Sequence, residues 1–112
     1  MKGLNLAKRK ATQSTFERAR IGAVLIKGGR VLASATNQTR YSKQANANWA
    51  STHAEETVII RMLRQTNGLK ILAGATLYVT RIKKDGSCAL AKPCKTCQNL
   101  INSVGIKKII HT

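Results

Sequence analysis

The stretch "ATLYVTRIKKDGSCALAKPCKTCQNL", residues 75–100, passes from a strand pattern through a basic loop to a proline with two cysteines behind it. Residues 75–82 are rich in β-branched and aromatic types and form the clearest strand signal in the chain. The loop that follows holds Lys83, Lys84 and Gly86, and Pro93 then predicts the opening of a short helix running to about Ser103. Cys94 and Cys97 fall three apart in the first turn of that helix, where side chains share a face. Taken alone, a Cys-x-x-Cys pair reads as a redox couple or a structural zinc site as readily as anything else. What completes the pair has to come from the rest of the chain.

On the N-terminal side of this unit, a helix is predicted up to about Gln65, capped by Ser51 or Thr52 and closed by Asn67-Gly68. Residues 37–50, "NQTRYSKQANANWA", are polar and irregular and read as a loop. Before them, "IGAVLIK" and "RVLASAT" flank Gly28-Gly29, a strong two-residue hairpin signal. The first of these strands is apolar on both faces, which predicts a central place in a covered sheet. Residues 4–19 carry Leu4, Ala7, Ala11, Phe16 and Ala19 as a helical stripe with a basic opposite face. At the other end of the chain, "IKKIIHT" reads as a strand. The order helix, hairpin, helix, strand, helix, strand implies an α/β layered sheet with crossover helices. With no internal repeat, linker or low-complexity tract, a single domain over residues 1–112 is expected.

Charge is the strongest compositional feature. Twenty Lys and Arg face four acids, Glu17, Glu55, Glu56 and Asp85, for a net charge of +16. A field of this size favours polyanions, above all nucleic acid, through release of condensed counterions; a solubilising surface or an acidic partner subunit is the plainer reading. The longest apolar runs fall far short of the roughly 20 residues of a membrane span. The opening "MKGLNLAKRK" lacks the apolar segment of a secretory signal. Three cysteines cannot all pair within one chain, so a reducing, cytoplasmic setting is expected, with the cysteines as ligands or reactive thiols.

Histidine occurs only twice, and His53 lies in "STHAEETVI" at the predicted start of the second long helix, with Glu55 two residues on. Inside a helix, residues two apart point to nearly opposite sides. At the first turn both can approach a metal lying off the helix end. Cys94 and Cys97 begin the other helix, and helix N-termini favour thiolates and anions. Three protein ligands, His53, Cys94 and Cys97, leave the fourth position of a tetrahedral zinc open, the arrangement of a catalytic rather than a structural site. Zinc lowers the pKa of a bound water from about 15.7 toward roughly 7. Attack on an amidine-like carbon of a nucleobase also needs a proton shuttle, and Glu55, beside the metal but not a ligand, suits that role. His-x-Glu with Pro-Cys-x-x-Cys matches the known pattern of zinc-dependent nucleobase deaminases. Each part has a plainer reading: a helix-capping His, a Glu placed for the helix dipole, and Cys88 as a loop cysteine or a fourth ligand.

The chain resembles a minimal member of the cytidine deaminase-like superfamily over about residues 20–112. "HAEETVIIRML", "ATLYVT" and "PCKTC" are similar to the tRNA adenosine deaminase and deoxycytidylate deaminase branches, and His53 as first ligand resembles those branches as well. The resemblance implies a three-layer α/β/α fold with a mixed sheet of about four strands, without the last strand and helix usual in the superfamily. It implies one Zn2+ per chain on His53, Cys94 and Cys97, with Glu55 catalytic. "ASATN" falls where tRNA-type members place a nucleoside-contacting asparagine, which makes Asn37 a substrate-binding candidate. The backbone amide of Ala54 falls where the superfamily holds the base, and Pro93 borders the same site. Two departures stand out: the inserted "RIKKDGSCALAK", and Lys92 before the proline, where relatives carry glutamate or serine.

The expected reaction is hydrolytic deamination, cytosine to uracil, within a single-stranded polynucleotide. Arg40, Lys43, Lys83 and Lys84 are candidates for backbone phosphates, and Tyr41 and Trp49 for base stacking, with packing the plainer role for Trp49. A free-nucleotide deaminase, a tRNA-type adenosine deaminase and a zinc-stabilised nucleic-acid-binding module are the alternatives. The expected partners are nucleic acid or a nucleotide and no membrane, with self-association into a homo-oligomer left open.

Overall fold

The computed structural model describes residues 2–14, 20–39, 51–52, 54–65 and 67–112. Along the chain these form α1 (Lys2–Ala11), β1 (Arg20–Lys27), β2 (Arg30–Thr36), β3 (Gln38–Thr39), β4 (Ser51–Thr52), α2 (Ala54–Leu63), α3 (Gly68–Leu72), β5 (Thr76–Ile82), β6 (Cys88–Ala89), α4 (Lys95–Ser103) and β7 (Lys108–His111). β1 lies between β2 and β5 and is antiparallel to both. The far edge of β5 is shared: β7 runs parallel to Thr76–Val79, and β6 returns antiparallel along Arg81 and Ile82. Gly28 and Gly29 close the β1–β2 hairpin with φ of 59° and 77°, the left-handed pair that a two-residue turn needs.

Strand alternation sorts the side chains into two layers. Ala23 and Leu25 of β1 and Leu77 and Val79 of β5 join Val58, Ile59 and Met62 of α2, Leu72 of α3 and Ile101 of α4 in one core. Each large aliphatic side chain buried there contributes about 1.5–3 kcal/mol. The other face packs on α1, and there helix and strand approach closely at two glycines. A Cβ on Gly22 would lie 2.1 Å from the Ala7 carbonyl oxygen, and one on Gly3 would lie 2.5 Å from the Tyr78 ring. The Thr80 hydroxyl donates to the Leu4 carbonyl at 3.1 Å. The predicted α/β/α layering and the central, covered position of β1 therefore hold.

Several expectations need correction. Among the described residues the main sheet has five strands, against about four expected. The extra strand, β6, comes from the segment expected as a loop: Asp85 accepts from the backbone N–H and the hydroxyl of Ser87, and this turn sends Cys88 and Ala89 back along β5. The first helix ends at Ala11, well before residue 19. Thr12 donates to the Arg9 carbonyl, and Ser14 is bonded to Asn37 at the end of β2, which draws the chain off the helix axis; residues 15–19 lie outside the described ones. Ser51 and Thr52 pair with Gln38 and Thr39 in a short ribbon instead of capping α2. Asn67, at φ 61°, ends the turn after α2 but also opens α3, which the sequence did not announce. Among the described residues no helix is long and apolar enough to cross a membrane.

Candidate active site

Two helix starts meet at one end of the sheet. α2 begins with Ala54 and Glu55, both buried, the carboxylate side chain at 4% exposure. In α4 the helix begins at Lys95, one residue later than two cysteines in its first turn would need. Cys94 is the N-cap, and its Sγ accepts from the Cys97 backbone N–H at 3.5 Å. The thiol thus fills the place a Ser or Asp side chain usually takes at a helix start. Pro93 is buried immediately before it.

Cys97 lies between these two starts. Burial pushes its thiol far above the ordinary range, helped by hydrogen bonding to Cys94 and by the charge of Glu55. Burial of the Cys97 sulfur beside Cys94 and Glu55 disfavours its thiolate unless a cation stabilises it. A divalent, sulfur-preferring cation supplies that charge, so this donor set fits zinc. The remaining expected ligand, His53, lies outside the described residues, and among the described residues no three His, Cys, Asp or Glu side chains are arranged to hold a metal ion by themselves.

Beside these groups opens a cavity of about 140 Å³ lined by Ile21, Glu55, Arg81, Leu90, Ala91, Lys92 and Cys94. Asn37 borders it through Ile21. The Asn37 carboxamide oxygen accepts from the Ile21 N–H at 2.9 Å and from the Ser14 hydroxyl at 2.6 Å, so its orientation is fixed by the fold. Glu55, Cys94 and Cys97 are thus brought together, with Ala54 and Pro93 adjoining them in the chain and Asn37 tied to the cavity wall through Ile21. Lys83 and Lys84 are exposed in the β5–β6 turn, away from the cavity. Cys88 pairs with Ile82 at the exposed sheet edge. Arg40, Tyr41, Lys43 and Trp49 lie outside the described residues.

Arg81 was not anticipated in this role. It stands two residues beyond Val79 on β5, so strand alternation places it on the face of Leu77 and Val79, and that period was the signal available in the sequence. Its Nε is buried without a hydrogen-bond partner among the described residues.

All of residues 1–112 match the family described as the cytidine and deoxycytidylate deaminase zinc-binding region. The chain is 35% identical over 91 residues to a tRNA-specific adenosine deaminase of Agrobacterium fabrum, a match covering 81% of this chain and 49% of that protein. It is 28% identical over 130 aligned residues to a deoxycytidylate deaminase of Mycobacterium phage D29, covering 96% of this chain and 89% of that one. Its fold is similar to the crystal structure of the dCMP deaminase from cyanophage S-TIM5 in apo form, with a TM-score of 0.74, 24% identity, and coverage of 98% of this chain and 79% of that chain. The fold is one shared with deaminase structures. The chain belongs to the cytidine and deoxycytidylate deaminase zinc-binding family, and it spans about half the length of the adenosine deaminase that it matches.

Proposed function

We propose that residues 1–112 form one catalytic domain that deaminates cytosine to uracil in a single-stranded nucleic acid. The observation that carries this reading is the meeting of Glu55, Cys94 and Cys97 where α2 and α4 begin, beside a cavity with cationic walls. Cys94, Cys97 and His53 would hold one Zn2+, which when bound supplies the Lewis acidity that makes water nucleophilic near neutral pH. The chain's own groups do the rest. Glu55 takes a proton from the attacking water and delivers it to N3 of the ring as oxygen adds at C4. It then moves the second proton to the amino group, the C4–N4 bond breaks, and ammonia and uracil result. The Ala54 amide and Pro93 orient the base, and the Asn37 amide nitrogen serves the sugar. Arg40, Lys43, Lys83 and Lys84 neutralise backbone phosphates, with Tyr41 and Trp49 as stacking groups.

A net charge of +16 supports a polynucleotide over a small anion. The similarity to a deoxycytidylate deaminase over 89% of its length favours a second reading, a free nucleotide as substrate. Turnover of dCMP, of a cytosine-containing single strand and of an adenine-containing strand, read as uracil or hypoxanthine formed, separates the readings. Deamination of dCMP without deamination of the strand at any salt concentration would overturn the polynucleotide assignment.

A further inference from the structure

The rim of the sheet next to the cavity carries a second, separate basic hollow on its opposite face. Arg20 opens β1 opposite Ile82, and Ile21 follows it. Alternation turns Ile21 into the cavity beside Glu55 and turns Arg20 to the α1 side. There a hollow of about 320 Å³ is lined, among the described residues, by Thr12, Ser14, Arg20 and Lys84. It lies between the end of α1, the start of β1 and the β5–β6 turn.

Its chemistry is that of an anion site. The Arg20 guanidinium is aimed by one bond, Nη2 donating to the Lys83 carbonyl at 3.0 Å. Its Nε is buried with no hydrogen-bond partner among the described residues. Lys84 adds a second cation. Thr12 and Ser14 already give their hydroxyl protons to the Arg9 carbonyl and to Asn37, so the two cations are the groups available to a ligand. Asp85, the one acid in the adjoining turn, is turned to Ser87. A planar guanidinium beside an ammonium matches a phosphate.

The hollow is also tied to the cavity. Ser14 at its wall bonds to Asn37, whose carboxamide oxygen accepts from the Ile21 N–H, and Ile21 lines the cavity. One residue of β1 separates the two sites. We propose that Arg20 and Lys84 form a subsite for the phosphate neighbouring the target nucleotide, so that a strand whose base enters the cavity crosses the sheet rim at Arg20. This rests on the polynucleotide reading, and it differs from a mononucleotide's own phosphate by lying outside the cavity.

The test is the salt dependence of binding for a strand of about 12 deoxythymidines with one central cytosine, followed by fluorescence anisotropy. Between ~50 and ~200 mM salt, Arg20→Met with Lys84→Gln is expected to lower the slope of log K against log salt by about 1.4, and to weaken binding about tenfold at low salt. Lys84→Gln alone, at an exposed turn position, should remove about half of that slope change. Lys70→Gln with Lys107→Gln, at the opposite end of the sheet, should leave the wild-type slope. The proposal fails if the rim variants keep the wild-type slope, or if the distant pair lowers it equally. It also fails if dCMP binding weakens by the same factor as strand binding, because the site then holds the nucleotide's own phosphate. A strand that binds with the expected slope change yet is never deaminated supports the subsite while overturning the substrate reading.

Discussion

The two faces of the sheet are built on opposite principles. On the α1 face, Gly22 lies against the backbone of Ala7 and Ala11 and Gly3 against the Tyr78 ring, so helix and strands approach closely there, and a hollow of about 260 Å³ opens between Leu6 and Arg9 of α1 and Val24 and Val31 of the strands. On the other face, Leu25, Leu77, Val58, Ile59 and Ile101 hold α2 and α4 away from the sheet by a full layer of side chains. Where that layer ends, beyond Val79, the gap persists but the filling does not. The cavity with Glu55, Arg81 and Cys94 is that remainder. The thick aliphatic layer thus leaves a buried site at its edge, whereas the closely packed α1 side carries open hollows such as the one at Arg20.

This contrast predicts that chemistry and stability separate on the two faces. The largest effect expected is Glu55→Gln, which keeps shape and burial but cannot shuttle protons; deamination should fall about 10³–10⁴-fold. Thermal unfolding should change little, and a variant that retains turnover would make Glu55 a bystander. Metal analysis should find one zinc per chain, and Cys97→Ala should lose it together with activity, since a site with one thiolate removed no longer holds the ion. Zinc retained in that variant would break the assignment of α4 as a ligand-bearing helix. Next comes Leu77→Ala on the thick face, expected to cost about 2–5 kcal/mol in denaturant unfolding because the cavity left behind cannot fully collapse. Gly22→Ala on the thin face should cost about 1–3 kcal/mol through overpacking against the Ala7 carbonyl, with activity per folded molecule preserved. If it abolished turnover while the protein stayed folded, the independence of the faces would be lost. The smallest is Ser14→Ala, about 1 kcal/mol for the lost bond to Asn37. A rise in KM in the same variant would show that the orientation of Asn37, and not only the fold, depends on Ser14.

Much of this was legible along the chain because it depends on neighbours in sequence. Gly28-Gly29 between two apolar runs specifies its hairpin, since few residues other than glycine accept two successive positive φ angles. The double-sided apolar pattern of β1 required cover on both faces. Cys94 and Cys97, three apart behind a proline, are bound to meet at a helix start whatever that helix packs on, although that Cys94 caps it was decided by the fold.

The tertiary structure decided what depends on distant partners. Thr12–Ser14 leave the helix because Ser14 finds Asn37, 23 residues away, and no local period records such a bond. Residues 88–89 become a strand because the free edge of β5 beyond β7 offers backbone groups to pair with, a vacancy set by where β7 stops. Arg20 and Arg81 looked like two more members of a dispersed basic surface. Only the pairing of β1 with β5 places them on opposite faces of one rim, each with its Nε sealed from water. Net charge and ligand types were written in the sequence, because composition and short spacings survive any fold. Which cations stand beside the cavity was not, because that is a property of strand register, and one residue of slip would have exchanged Arg81 for Ile82.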